Sequence, residues 1–185
     1  MALTKTPVCD FGKKAENFKL KSINNKVLTL NDIKGEKATL IMFICNHCPY
    51  VKAIIKDLAK DCNELRNDGI SSVAIMSNDT KNYPEDSFDN MKKLATKYNF
   101  TFPYLYDETQ EVAKLYGAVC TPDFFGFNKN KKLQYRGRLD ASRKEAGSPD
   151  LRRDLFEAMK GVAQTGKGPS EQIASMGCSI KWKSN

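Results

Sequence analysis

The sequence predicts an α/β protein with a central mixed β-sheet flanked by helices. Three observations carry that expectation. Ala38-Thr39-Leu40-Ile41-Met42-Phe43-Ile44 is a nearly continuous apolar run without a charge, the pattern of a strand buried on both faces. Val51, Ile54, Ile55, Leu58, Ala59, Cys62 and Leu65 then recur at three- and four-residue intervals, as one face of a helix does. Ile70-Ser71-Ser72-Val73-Ala74-Ile75-Met76 is a second buried strand, and Asn67-Asp68-Gly69 ends the helix before it. A strand, a helix and a strand in this order form a βαβ unit, whose two strands run parallel.

The remaining elements follow in order. Within residues 9–37, Phe18-Lys19-Leu20-Lys21 and Val27-Leu28-Thr29-Leu30 read as a leading hairpin turning at Asn24-Asn25. Ser77 to Ser87 is polar and loop-like, and Phe88 to Tyr98 carries Met91, Leu94 and Ala95 at helical spacing. Phe102-Pro103-Tyr104-Leu105-Tyr106 reads as a short edge or inserted strand. Glu108 to Tyr116 is a short helix ended by Gly117. Phe124-Phe125-Gly126-Phe127 and Leu133 to Leu139 make an antiparallel hairpin through Asn128 to Lys131, so the sheet is mixed. Ser148 as cap and Pro149 at the first helical position open a last helix, from Leu151 to about Gln164. One domain is expected over residues 1–164. Residues 165–185 read as a polar tail on or near it, containing Cys178 and the only tryptophan.

Composition excludes several function classes. No apolar segment approaches the roughly 20 residues that span a bilayer, so no membrane partner is expected. Met1 to Pro7 lacks the apolar core of a signal peptide, which points to the cytoplasm, although removal of a leader would leave the same sequence. The formal charge of +8 does not make the chain a nucleic-acid binder: its lysines are spread among acids and outnumber the arginines that bidentate recognition uses. Solvated surface is the expected meaning, with a basic face able to steer an acidic protein partner.

The chemistry centres on Cys45-Asn46-His47-Cys48, where the first buried strand gives way to the helix. The first turn of a helix has unpaired N–H groups and a partial positive charge, which favour a thiolate. A C-x-x-C pair at such a junction is the sequence form of a dithiol/disulfide redox site. Cys45 is expected at the mouth of the helix, more exposed, as nucleophile. Cys48, one turn in and buried, is expected to resolve the mixed disulfide. Lowering a thiol pKa from about 8.5 to about 7 raises its thiolate fraction at pH 7 roughly sixteenfold. Part of that gain is lost in nucleophilicity, and the main result is a better leaving group. His47, the sole histidine, would stabilise the Cys45 thiolate when protonated; at an ordinary pKa of about 6.5 it is only about a quarter charged at pH 7, and a solvent-exposed spacer is the alternative. Cys62 lies on the apolar helix face, as a small buried hydrophobe does. Cys45, Cys48, Cys120 and His47 also offer metal ligands, though their spacing fits no zinc ribbon and no metal is expected.

Further motifs follow in a fixed order: Ala15-Glu16-Asn17-Phe18-Lys19-Leu20, the Cys-Asn-His-Cys-Pro-Tyr-Val stretch, Tyr104-Leu105-Tyr106-Asp107, Val112 to Gly117, and Thr121-Pro122. Over residues 10–164 this order resembles the thioredoxin-like fold. It resembles more narrowly the redoxins related to alkyl hydroperoxide reductase and thiol-specific antioxidant proteins. With Cys120-Thr121-Pro122-Asp123 and the late Gly177 to Trp182, it is similar to an uncharacterised "thioredoxin family protein" subgroup. The resemblance implies a thiol-disulfide oxidoreductase without a bound cofactor. Its partners would be disulfide-bearing proteins or small thiols, and an upstream thiol would reduce it. It implies that Pro122 is cis and faces the cysteine pair, and that the backbone of Thr121 pairs with bound substrate. Cys120 is then either a third redox thiol or structural, and Cys178 either forms a second disulfide or none.

Two departures from the family pattern stand out. Thioredoxin keeps a buried acid about six residues before its first cysteine, whereas Thr39 to Ile44 has no ionisable group. Peroxide-reducing relatives place a threonine three residues before the reactive cysteine; here that residue is Met42, so thiol peroxidase is the alternative activity.

Overall fold

The computed structural model describes residues 3–184. In chain order the strands and helices are β1 (Leu3–Lys5), β2 (Lys19–Ser22), β3 (Val27–Thr29), α1 (Leu30–Ile33), β4 (Ala38–Phe43), α2 (Pro49–Leu65), β5 (Ile70–Met76), α3 (Phe88–Lys97), β6 (Tyr104–Tyr106), α4 (Glu111–Tyr116), β7 (Cys120–Thr121), β8 (Asp123–Asn128), β9 (Leu133–Tyr135), α5 (Asp154–Thr165) and β10 (Met176–Ser179). Seven strands form the main sheet in the order β3-β2-β6-β5-β4-β8-β9, and β1-β10-β7 form a second, small sheet. β4 pairs parallel with β5 and antiparallel with β8, so the expected mixed sheet is present with the βαβ unit at its centre.

Period-two alternation along β4 explains the two apolar layers. Leu40 and Met42 join Ile54, Ile55, Leu58, Leu155 and Met159 on the α2/α5 face. Ile41 and Phe43 join Leu30, Val112, Tyr116 and Phe125 on the other. Every β4 residue is buried, as a central strand covered on both faces must be. β6 is an inserted strand, parallel to β5 and antiparallel to β2. The leading hairpin forms with Asn25 at positive φ in its turn. Gly69, also left-handed, ends the helical segment after α2.

One expectation is corrected. The last helix does not begin at Ser148 and Pro149 but at Asp154. Its first turn thereby carries Asp154 and Glu157 against the helix dipole, while Arg153, just outside, bonds Asp61 and Glu64 of α2. Residues 165–184 contain one more strand, β10. β10 lies between β1 and β7 and brings both ends of the chain to the strand that precedes Pro122.

Candidate active site

Pro49 occupies the first position of α2, so Cys48 is the helix N-cap and Cys45 lies before the helix, at the end of the β4 run. Both are buried, at 1% exposure for Cys45 and 0% for Cys48. The expected contrast, Cys45 exposed at the helix mouth and Cys48 one turn in, is therefore absent. Proline at the first position leaves the N-cap at Cys48, and the residues before it fold under the loop that carries Pro122. Cys48 Sγ lies 3.1 Å from the Thr121 carbonyl oxygen, and Cys45 Sγ 3.3 Å from the Thr121 hydroxyl. The Thr121-Pro122 peptide is cis.

The two thiols differ electrostatically. Hydrogen bonds from the Cys45 thiol, the Cys178 thiol, and the backbone N–H groups of Cys178 and Val51 pull the Cys48 pKa below that of an ordinary thiol. Val51 belongs to the first helical turn, so the helix terminus acts on Cys48. Burial pushes Cys45 up, and the bond it donates to Cys48 and the Asp86 carboxylate push it the same way.

Asp86 had no sequence signal beyond its place in a polar loop. It is fully buried and gathers the site. One carboxylate oxygen accepts the backbone N–H groups of Asn46 (2.7 Å) and His47 (3.2 Å); the other lies 2.7 Å from His47 Nδ1 and accepts an Asn78 amide hydrogen at 2.8 Å. His47 is consequently no exposed spacer. Its ring stacks on Tyr83 at 5.6 Å, and its bond to Asp86 raises its pKa above the ordinary imidazole value against the opposing effect of burial. Its Nε2 is enclosed and has no partner among the described residues. The ligand-capable atoms of Cys45, His47 and Asp86 lie within 4.8 Å of one another, so these residues, rather than a set including Cys120, are the ones placed to share a proton or an ion.

The other cysteines divide. Cys62 is buried on α2, and burial pushes its pKa up to about 12. Cys120 is fully buried and likewise pushed up, first by burial and then by Asp123. Cys178, four per cent exposed, lies on β10 opposite Thr121, within hydrogen-bonding reach of Cys48.

Comparison with known proteins places this geometry. The family model described as "AhpC/TSA family" matches residues 11–136. The chain belongs to the AhpC/TSA family. An uncharacterised conserved protein from Geobacillus kaustophilus has a solved structure that is 46% identical, with a TM-score of 0.94, covering 100% of this chain and 98% of its own. A hypothetical protein from Sinorhizobium meliloti is 36% identical, with a TM-score of 0.93, covering 98% and 100%. Among curated proteins, a thiol-disulfide oxidoreductase ResA from Bacillus thuringiensis is 24% identical over 130 residues, 70% of each chain. The fold is thioredoxin-like.

Within the AhpC/TSA frame, the two departures look different in three dimensions. β4 carries no acid, but a buried carboxylate reaches the site from another element, Asp86 of the 3-10 turn Pro84–Asp86 after β5. The hydroxyl missing at Met42 has a counterpart in Thr121, across the site. The backbone of Thr121, which the resemblance reserves for substrate, is occupied by β10.

Proposed function

We propose that this AhpC/TSA-family protein is a thiol-disulfide oxidoreductase working through a reversible Cys45–Cys48 disulfide. The observation that carries this reading is the placing of two buried C-x-x-C sulfurs at a strand–helix junction, each within bonding distance of Thr121 beneath the cis Thr121-Pro122 loop. The names of the curated relatives support it. Disulfide-bearing proteins or small thiols are the partners, and an upstream thiol restores the dithiol.

Cys45 is assigned the partner-facing role. As it attacks a partner disulfide, its proton passes to the neighbouring Cys48 thiolate. One partner sulfur leaves as thiolate and a mixed disulfide remains on Cys45. Cys48 then attacks Cys45 Sγ, closing the Cys45–Cys48 bond, and the second partner sulfur leaves with the proton that Cys48 releases. Cys48 must give up the proton it received before it attacks, and its lowered pKa eases that loss, because the thiolate is the attacking form. The imidazole of His47, held by Asp86, lies within 4.8 Å of the Cys45 sulfur as a group that can exchange protons. A cleft of about 270 Å³ against Pro122, lined by Tyr50, Ile54, Arg138, Leu139 and Met176, offers a partner segment apolar contact and a cation. Both sulfurs are buried, so exchange requires local opening.

The test is covalent trapping. Cys48→Ser is expected to accumulate mixed disulfides through Cys45, and Cys45→Ser to accumulate none; trapping by Cys45→Ser alone would reverse the roles. The Thr121 hydroxyl beside Cys45 favours thiol peroxidase as the second reading. Stopped-flow oxidation by hydroperoxide at rates far above those of free cysteine would select it over disulfide exchange.

A further inference from the structure

Cys178 has no part in the two-cysteine cycle, yet the fold spends considerable structure on placing it. β10 pairs Cys178 with Thr121 and Ser179 with Cys120, and Ile180 N–H continues the ladder to the Val119 carbonyl at 3.2 Å. Ser175 Oγ donates to the Pro122 carbonyl at 2.8 Å on the other side. Beyond the strand, Lys181 N–H bonds Asn78 Oδ1 at 2.8 Å, and the same Asn78 donates to Asp86. Gly177 lies so near Thr121 that a Cβ there would run into its carbonyl oxygen. Cys178 is thereby fixed opposite Thr121, whose carbonyl oxygen lies 3.1 Å from Cys48 Sγ, which brings the Cys178 thiol to the Cys48 sulfur.

We propose that Cys178 is a third redox thiol of the site, exchanging with Cys48 so that one disulfide occupies either of two positions, Cys45–Cys48 or Cys48–Cys178. The step is thiol–disulfide exchange and needs no outside oxidant. Cys178 loses its proton and attacks Cys48 Sγ; the Cys48–Cys178 bond forms, the Cys45–Cys48 bond breaks, and Cys45 leaves as thiolate and takes up the proton. One disulfide and one thiol exist before and after, so nothing is oxidised or reduced overall. Cys48 is the pivot. The exchange frees Cys45 for another partner while the oxidising equivalent is held under β10, from which the upstream thiol removes it.

The electrostatics permit the step in the right state. The Cys178 pKa is held up by burial and by the neighbouring Cys48 sulfur, while Lys181 lowers it. Once Cys48 is in a disulfide it carries no charge, and its part of that penalty disappears. β10 thus takes the Thr121 backbone position as a resident strand of the protein itself, with a cysteine at the point of pairing.

The inference rests on the Cys45–Cys48 reading, and one experiment separates the two. Wild type, Cys45→Ser, Cys178→Ser and Gly177→Ala would be equilibrated in glutathione buffers of graded potential, quenched by alkylation, and their disulfides mapped by mass spectrometry of unreduced peptides. Wild type is expected to yield both the 45–48 and 48–178 linkages. Cys45→Ser should lose both remaining site thiols to a 48–178 disulfide, and Cys178→Ser should yield 45–48 alone. Gly177→Ala, which pushes β10 off Thr121, should retain 45–48 and lose most of 48–178. If wild type forms 45–48 but neither it nor Cys45→Ser forms 48–178 at any potential, the third thiol is refuted and the two-cysteine cycle stands. If wild type forms no 45–48 linkage, the cycle itself is refuted. Should Cys45→Ser fail to fold, as judged by circular dichroism, the wild-type map and its response to Gly177→Ala decide alone.

Discussion

Asp86 is the residue through which the site's charges are coupled. It holds the backbone of Asn46 and His47 in the turn between the cysteines, sets the ionisation of His47, and opposes that of Cys45. Asp86→Asn keeps the shape and removes the charge. The pKa of Cys45 should then fall, because a negative neighbour is gone, and that of His47 should fall with it. Titration of thiolate absorbance and of the imidazole proton resonances would check both. An unmoved His47 would show that the 2.7 Å contact does not persist in solution. Weakening the charged bonds to two buried N–H groups should cost about 1–3 kcal/mol in urea unfolding. His47 also gives stability a pH dependence of definite sign. Its folded pKa is raised, so the stabilisation it brings is fully present below the ordinary imidazole value and is lost as pH rises through the raised one. The stability difference between wild type and His47→Gln should therefore shrink from pH 6 to pH 8. At this scale the cysteine pair was legible because both sulfurs lie in one four-residue motif at an evident strand–helix boundary. Asp86 was not, because 38 positions separate it from Cys48 and a polar loop gives no periodic signal.

At the scale of elements, the buried strands and α2 were readable because their burial is complete and their periods unbroken. The start of α5 was not. Ser148-Pro149 has the local form of a helix entry, but a helix begins where its first turn finds partners, and here those are Arg138 for Asp154 and α2 for Arg153. β8 shows the same dependence on distant partners. Its first residue, Asp123, is fully buried after the cis-proline and paired with Arg136 at 3.0 Å, while also accepting the Val119 N–H. Burial raises the Asp123 pKa even so, outweighing the help of Arg136. The pair therefore matters chiefly for what happens when it is broken. Arg136→Met leaves a buried carboxylate without its cation and should cost about 3–5 kcal/mol at neutral pH. The loss should be smaller at pH 5, where the stranded carboxyl takes up a proton, and adding Asp123→Asn should restore much of the stability. Chemical denaturation of the single and double variants at both pH values measures it, and an additive double variant would mean that the two side chains act separately.

At the scale of the whole molecule, the site lies under strands that are far apart in sequence. β1 and β10 pair with each other, β10 pairs with β7, and neither pairing can be read from a sequence in which both partners of a four-residue strand lie earlier in the chain, one more than 50 residues back and the other over 170. The polar composition of residues 165–185 suggested a tail for the same reason: a short strand pinned largely by backbone and amide hydrogen bonds leaves little apolar pattern. Gln110 is the clearest of those pins. Held at positive φ ahead of α4, it donates from Nε2 to the carbonyls of Ser77 (2.6 Å) and Lys181 (2.8 Å), and its Oε1 accepts the Lys183 N–H at 2.8 Å. It touches neither sulfur bond partner nor the acid at the centre, so its effect must come through the cover. Gln110→Ala removes the amide and should ease opening by about 1–3 kcal/mol, which corresponds to roughly thirtyfold faster alkylation of the site thiols at the middle of that range. Hydrogen exchange should quicken over residues 175–183 in the same variant while the amides of β4 and β5 stay protected. Faster thiol reaction with unchanged exchange at β10 would place the opening elsewhere, in the turn that carries His47. Faster exchange with unchanged thiol reactivity would mean that the terminal strand is not what covers the sulfurs.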